Sequence, residues 1–160
     1  MEQKSSRHLK QSDQSDNPVK GAASLGSLGE MMVALELMIK GWAIYTQFIG
    51  GSSSSFDLLA VKGDLFKRIQ VKSTARDYKE KSRKSKKHIL KVCKRSKGKF
   101  SRYSSSDCDF IVIVLMDEGR FFVIPTEKFS SKTVNVYTNE DGVPTGWTAE
   151  YQDAWDLMDE

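Results

Sequence analysis

The chain has 160 residues and a formal net charge of +4, which is length enough for one domain with a real core. It holds no apolar run of the length a membrane-spanning helix needs, so no membrane association is expected. Its two cysteines, Cys93 and Cys108, are too few for a disulfide framework and lack metal-site spacing, so reduced thiols in a cytoplasmic protein are the expectation.

Met1 to about Ala23 is polar and mixed in charge, without the apolar core of a secretory signal. It reads as a flexible arm over 1–23, ahead of a single domain over 24–160. Leu25 to Lys40 carries apolar residues at helical spacing: Leu28, Met32, Leu35, Ile39 and Trp42 form one stripe. Val33, Ala34, Leu37 and Met38 widen it, leaving Gly29, Glu36 and Lys40 as a polar edge, so a largely buried helix is predicted. Glu30 falls inside the apolar arc and needs a partner. A metal, a metal-bound water or Lys72 would serve; equally, Ser27-x-x-Glu30 fits a capping box. Gly41 is placed to end the helix.

Ala43 to Phe48 alternates and predicts a strand, and Gly50 to Ser55 a permissive loop. Phe56 to Val61 and Phe66 to Ser73 then read as two strands of a hairpin turned by Lys62-Gly63-Asp64. With a side-chain period of two, Ile69 and Val71 share one face and Gln70 and Lys72 the other. The hairpin can bring Asp57 beside that polar pair. Asp57, Gln70 and the Val71 carbonyl offer the oxygen ligands that a hard cation such as Mg²⁺ takes. Lys72 can orient or help deprotonate a water, or neutralise charge on a phosphate. Two strands with a solvated polar face are the ordinary alternative.

Arg76 to Arg102 holds 13 Lys or Arg against 2 acids, a local charge of +11, while the rest of the chain has 12 against 19, or −7. Such a block is an electrostatic footprint for a polyanion. The candidate DNA-contacting cations are Arg76, Lys79, Lys81, Arg83, Lys84, Lys86, Lys87, Lys91, Lys94, Arg95, Lys97, Lys99 and Arg102. A solvated loop is the alternative. Ile89, Leu90 and Val92 predict a short helix or strand inside the block, while Tyr78, Phe100 and Tyr103 are placed to stack on bases or cover an apolar flank. His88 receives no role.

Asp109 to Met116 predicts a central strand buried on both faces, and Arg120 to Ile124 its returning partner. A helical turn through Phe129, a small edge strand over Thr133 to Tyr137, a turn-rich Asn139 to Gly146 and a terminal helix over Ala149 to Met158 complete the prediction.

Asp57, twelve intervening residues and then Gln70-Val71-Lys72, preceded by Glu30 on a helix, resembles the bipartite motif of the PD-(D/E)XK nucleases. Two departures stand out: Ser55-Phe56 replaces the proline of the motif name, and Gln70 replaces its second acid. A glutamine there is similar to the variant in the group I intron homing endonuclease branch. The resemblance implies a restriction-endonuclease-like α/β core, with a mixed sheet of about five strands flanked by helices and the basic block inserted at 76–103. It implies an Mg²⁺- (or Mn²⁺-) dependent DNA endonuclease in which Asp57, Gln70, Val71 and Glu30 hold metal, and Glu30, Asp57, Gln70 and Lys72 form the catalytic set. Double-stranded DNA is the implied partner and a homodimer or homotetramer the implied assembly. A Holliday-junction resolvase is the nearest alternative activity, and a nucleic-acid-binding module with weak or lost catalysis the alternative from another class.

Overall fold

The structure, a computed structural model, describes residues 22–46, 55–75 and 85–160. Residues 1–21 of the predicted arm, the loop over 50–54 and the cations Arg76, Lys79, Lys81, Arg83 and Lys84 lie outside the described residues, while Ala22 and Ala23 belong to the first helix.

One helix, α1 (Ala22–Ile39), leads into β1 (Ala43–Thr46), β2 (Leu58–Lys62) and β3 (Leu65–Thr74). Then come β4 (Lys86–Lys91), β5 (Cys93–Ser96), β6 (Lys99–Arg102), β7 (Phe110–Leu115), β8 (Arg120–Pro125), β9 (Thr133–Thr138) and β10 (Pro144–Thr145). The main sheet has the order β1-β2-β3-β7-β8, and only the β3–β7 pair is parallel. β7 is buried along its whole length, as its unbroken β-branched and apolar run requires of a central strand covered on both faces.

The two faces of that sheet support different layers. Val71, Val112, Val114 and Val123 pack with Val33 and Leu37 of α1 and with Trp155 and Met158. Ile111, Ile113, Phe122 and Ile124 pack with Leu90, Val134 and Val136 of a second, three-stranded sheet, β10-β9-β4. The fold is therefore the α/β, restriction-endonuclease-like core that the sequence implies, with one correction: the second covering layer is a sheet rather than a helix. β9, expected at an edge, lies between β4 and β10.

The terminal helix is also corrected. Ala149–Tyr151 and Trp155–Asp159 are two short 3₁₀ segments. Between them Gln152 bridges to Phe122, the Asp153 N–H donates to the Phe121 carbonyl, and Asp153 takes φ +51°. Pairing with the β8 edge diverts the backbone hydrogen bonds that a continuous helix would use. The apolar side chains Tyr151, Trp155 and Met158 are buried all the same.

In α1 the buried line is Gly29, Val33 and Leu37, not the predicted stripe; Leu35 and Ile39 are 59% and 72% exposed. A Cβ on Gly29 would lie 2.7 Å from the Ser73 Cβ, so the helix meets β3 backbone-close at this residue. The Ser73 hydroxyl donates to the Leu25 carbonyl at 2.9 Å and ties the same junction. Because α1 begins at Ala22, Ser27 lies inside the helix and cannot act as its N-cap, which removes the capping-box reading of Glu30. Gly41 closes the helix with φ +85°.

Candidate active site

The β2–β3 hairpin turns on Gly63-Asp64 and pairs Leu58 with Ile69. Asp57 thus stands just before β2, opposite Gln70, with its N–H donating to the Ile69 carbonyl at 2.8 Å. Its Oδ2 accepts the Val71 N–H at 2.7 Å and the Gln70 amide nitrogen. The same amide nitrogen reaches the Val71 carbonyl at 3.2 Å. A carboxylate, an amide and a main-chain carbonyl, all named from the sequence as oxygen ligands, therefore form one connected cluster. Gln70 is 6% exposed, so its polar head is committed to this cluster rather than to water.

Glu30 and Lys72 complete it. Burial raises the Glu30 carboxyl above its ordinary pKa, the charge of Asp57 raises it further, and Lys72 pulls it back. Burial also raises Asp57, against the lowering effects of the Val71 N–H, Lys72 and the Gln70 amide. Two carboxylates that feel each other and one ammonium form an acidic pocket whose anionic form is under-compensated. A divalent cation would supply the compensating charge, and the donor set is oxygen-rich, so the residues fit a hard metal such as Mg²⁺. Gln70 would have to present its oxygen to a metal, a turn of a soft terminal torsion.

The sequence left Tyr103 without a fixed place. It follows β6 directly, is 9% exposed, and its ring centre lies 5.4 Å from the Lys72 ammonium. Burial, with the nearby Asp57 charge, raises its hydroxyl well above the usual phenol value, so it stays protonated at neutral pH. Its interleaving with charges was the only sequence signal, and that signal does not specify which cation it covers. Beside it, burial raises Asp107 but the Lys94 ammonium and the Ser104 hydroxyl and N–H outweigh this and hold it below the carboxylate range.

The described part of the basic block is strand rather than loop. Lys86 lies 3.5 Å from Glu118, Lys87 over the Tyr137 ring, and Arg102 donates to the Ser130 carbonyl at 2.9 Å. Lys91 lines a cavity with Cys93, Phe100, Lys132 and Thr133. Cys108 is buried with its Sγ 3.3 Å from the Thr126 hydroxyl, as a packing thiol.

A model of the PD-(D/E)XK endonuclease family matches residues 22–158. The chain belongs to that family. The solved structure of a bacterial homing endonuclease matches with a TM-score of 0.70 at 19% identity, covering 86% of this chain and 92% of that one. At that identity the likeness is one of fold. No curated protein sequence matches the chain. No helix among the described residues is long and apolar enough to cross a membrane.

Proposed function

We propose that this PD-(D/E)XK endonuclease is a divalent-metal-dependent endodeoxyribonuclease of homing-endonuclease type, hydrolysing phosphodiester bonds of double-stranded DNA. The observation that carries the reading is the convergence of Glu30, Asp57, Gln70, the Val71 carbonyl and Lys72 on one end of the main sheet. Asp57, Gln70 and the Val71 carbonyl would hold Mg²⁺ or Mn²⁺, with Glu30 behind them. When bound, the cation supplies Lewis-acid activation of water and neutralises charge on the phosphate.

The chain's own residues do the rest. Asp57 and Glu30 keep the pocket anionic once deprotonated. The Val71 N–H fixes the orientation of the Asp57 carboxylate. Lys72, held against the Tyr103 face, directs its N–H donors at an incoming water or at the phosphate oxygens on which charge develops. The homing type rests on Gln70 in place of the motif's second acid, and the fold likeness supports it. Cutting both strands calls for two sites, so a homodimer or homotetramer is part of the proposal. The outer side of α1, where Met31, Leu35, Met38 and Ile39 are exposed, supports a contact between copies.

The test is cleavage of supercoiled plasmid, linear duplex, a four-way junction and an intron-insertion-type target, each with and without Mg²⁺. Mg²⁺-dependent cutting of duplex is expected. Cutting of the junction alone would move the assignment to a resolvase. Sequence-independent binding with no cutting of any substrate would leave only the binding module.

A further inference from the structure

Among the described strands, β5 and β6 pair only with each other. They form a two-stranded ribbon outside both sheets, and β6 is exposed along its whole length. The ribbon springs from the candidate active site. At its base Lys94 is ion-paired with Asp107, and the residue after β6 is Tyr103, whose ring lies against Lys72. A phosphate bound at Asp57 and Lys72 would bring the flanking duplex toward the base of the ribbon.

Its dimensions and chemistry fit one partner surface. Two strands stand about 4.8 Å apart and four residues rise about 14 Å, and the major groove of B-form DNA, about 12 Å wide, admits a two-stranded β-ribbon. The register puts Arg95 opposite Phe100, with the guanidinium 5.7 Å from the ring centre. Phe100 is half exposed and Arg95 exposed, so the fork is backed by an aromatic face and still open to a ligand.

The tip is unusual. Ser96 pairs with Lys99, and the two residues between them, Lys97 and Gly98, have φ +47° and +78°. Positive φ at both central positions is the type I′ pattern, which prefers Asn-Gly. A lysine in the left-handed region is strained relative to asparagine, and strain of this kind concentrates at functional sites. Lys97 places a cation at the farthest point of the ribbon, where hairpin stability alone would select asparagine.

We propose that the β5–β6 ribbon is the sequence-reading element, lying in the major groove with Arg95 on a guanine and Lys97 at the tip among bases or phosphates. The proposal rests on the nuclease reading for its substrate, and it goes beyond phosphate contact, which positions a protein without reading bases. Arginine is the most frequent partner of the guanine O6 and N7 acceptors, and phenylalanine can meet a thymine methyl.

The experiment is binding selection of a random duplex pool by the full chain with Ca²⁺ replacing Mg²⁺. The wild type is expected to enrich a motif containing a guanine that Arg95→Ala no longer selects. Replacing that guanine by 7-deazaguanine, which lacks the N7 acceptor, should weaken wild-type binding about tenfold, within the discrimination of a bidentate pair. It should weaken the Arg95→Ala variant no further. Lys97→Asn, which suits the turn better, should keep or raise Tm while losing affinity or motif information. A wild type that enriches no motif, one that favours double-stranded RNA, a 7-deazaguanine effect equal in wild type and Arg95→Ala, or variants that recover the wild-type motif would each overturn the proposal. Plasmid cutting under Mg²⁺ is read separately: a protein that selects a motif but cuts nothing loses the nuclease reading and keeps this one.

Discussion

Among the described residues, two groups that set two acids beside a basic partner differ in how charge is balanced. At the first, Glu30 and Asp57 face Lys72 and both carboxyls are raised. At the second, His88 on β4 meets Asp117 and Glu118 in the β7–β8 turn, with ligand atoms all within 4.8 Å of one another. Spacing alone would pick the second as the metal site. Cations already stand beside it: Arg120 lies 3.0 Å and Lys86 3.5 Å from the two Glu118 oxygens, although the buried Oε2 has no hydrogen-bond partner. His88 Nε2 sits 3.1 and 3.2 Å from the Asp117 oxygens, while its buried Nδ1 has no hydrogen-bond partner. Metal on Nε2 would move the ring proton to Nδ1, where nothing accepts it, whereas a ligating histidine ordinarily donates its other N–H. On the proposed reading the first cluster is short of positive charge and the second already has its cations, so cation demand would separate them where distance does not.

The largest effect should come from breaking the first cluster alone. Asp57→Asn should lower plasmid cutting by at least about a thousandfold, the scale of losing a main electrostatic contribution at the reacting centre, and weaken Mg²⁺ binding in calorimetry. Lys72→Ala should abolish cutting while DNA binding largely survives. Asp117→Asn should leave cutting within about twofold, as expected for a group away from the reacting atoms. Unchanged metal affinity in Asp57→Asn, or full activity in Lys72→Ala, would reverse the comparison. Gln70→Glu adds the charge the family motif carries and should preserve or tighten metal binding.

The sign of the pH dependence separates the clusters as well. A carboxyl raised in the folded state binds its proton more tightly there than in the unfolded chain. Its stabilising contribution is complete below the unfolded pKa and fades as pH rises through the folded one. The metal-free protein should therefore lose that contribution as pH rises through the raised carboxyl pKa values, and added Mg²⁺ should compensate once the carboxyls are deprotonated. At a hundred times Kd the linkage is about 2.7 kcal/mol. Thermal unfolding should show a Mg²⁺-dependent rise in Tm that fades as pH is lowered, beginning above the ordinary carboxylate range because both carboxyls are raised. Asp57→Asn should lack the rise and Asp117→Asn should retain it.

Gly29 couples the fold to the first cluster, because it brings the helix onto Ser73 one residue before Glu30. Gly29→Ala should cost about 1–3 kcal/mol, as overpacking does. Cutting should fall with it as Glu30 moves off the pocket, and Ser73→Gly in the same chain should restore part of both. Urea unfolding and nicking rates on the pair of variants measure this; an unperturbed Gly29→Ala would mean that the junction gives way freely.

Much of this was legible in the sequence because the signals were local. The β2–β3 hairpin, the buried β7 run and the Asp57, Gln70 and Lys72 grouping follow from period-two patterning and a turn glycine. The apolar arc marks Glu30 as needing a partner, and the family resemblance assigns it to the site. What stayed hidden depends on pairing over long separations. The face of α1 was misread because nearly every position is apolar, so periodicity could not single out Gly29, Val33 and Leu37. The terminal helix gave way to 3₁₀ segments because β8, some thirty residues earlier, competes for its backbone. The closed cluster around His88 was invisible because its partners lie on a different strand pair.

The smallest expected effect concerns the cations themselves. Equal weight for every lysine in the basic block is what the sequence supports, but Lys86 is engaged with Glu118 in the closed cluster and Lys87 lies over Tyr137. Lys97 lies in the turn at the tip of the exposed ribbon and Lys99 directly follows it. Each phosphate contact contributes about −0.9 to the slope of log K against log salt on duplex DNA. Lys97→Ala with Lys99→Ala should flatten that slope by up to ~2 units on this rule. Lys86→Ala with Lys87→Ala should flatten it by less than about one, on the same rule, because an ammonium already paired in the protein releases fewer counterions from DNA. Salt titration on one selected and one unrelated duplex decides the matter. Equal flattening by the two pairs would mean that the Lys86–Glu118 contact opens when DNA binds, and the second cluster would then be closed only in the free protein.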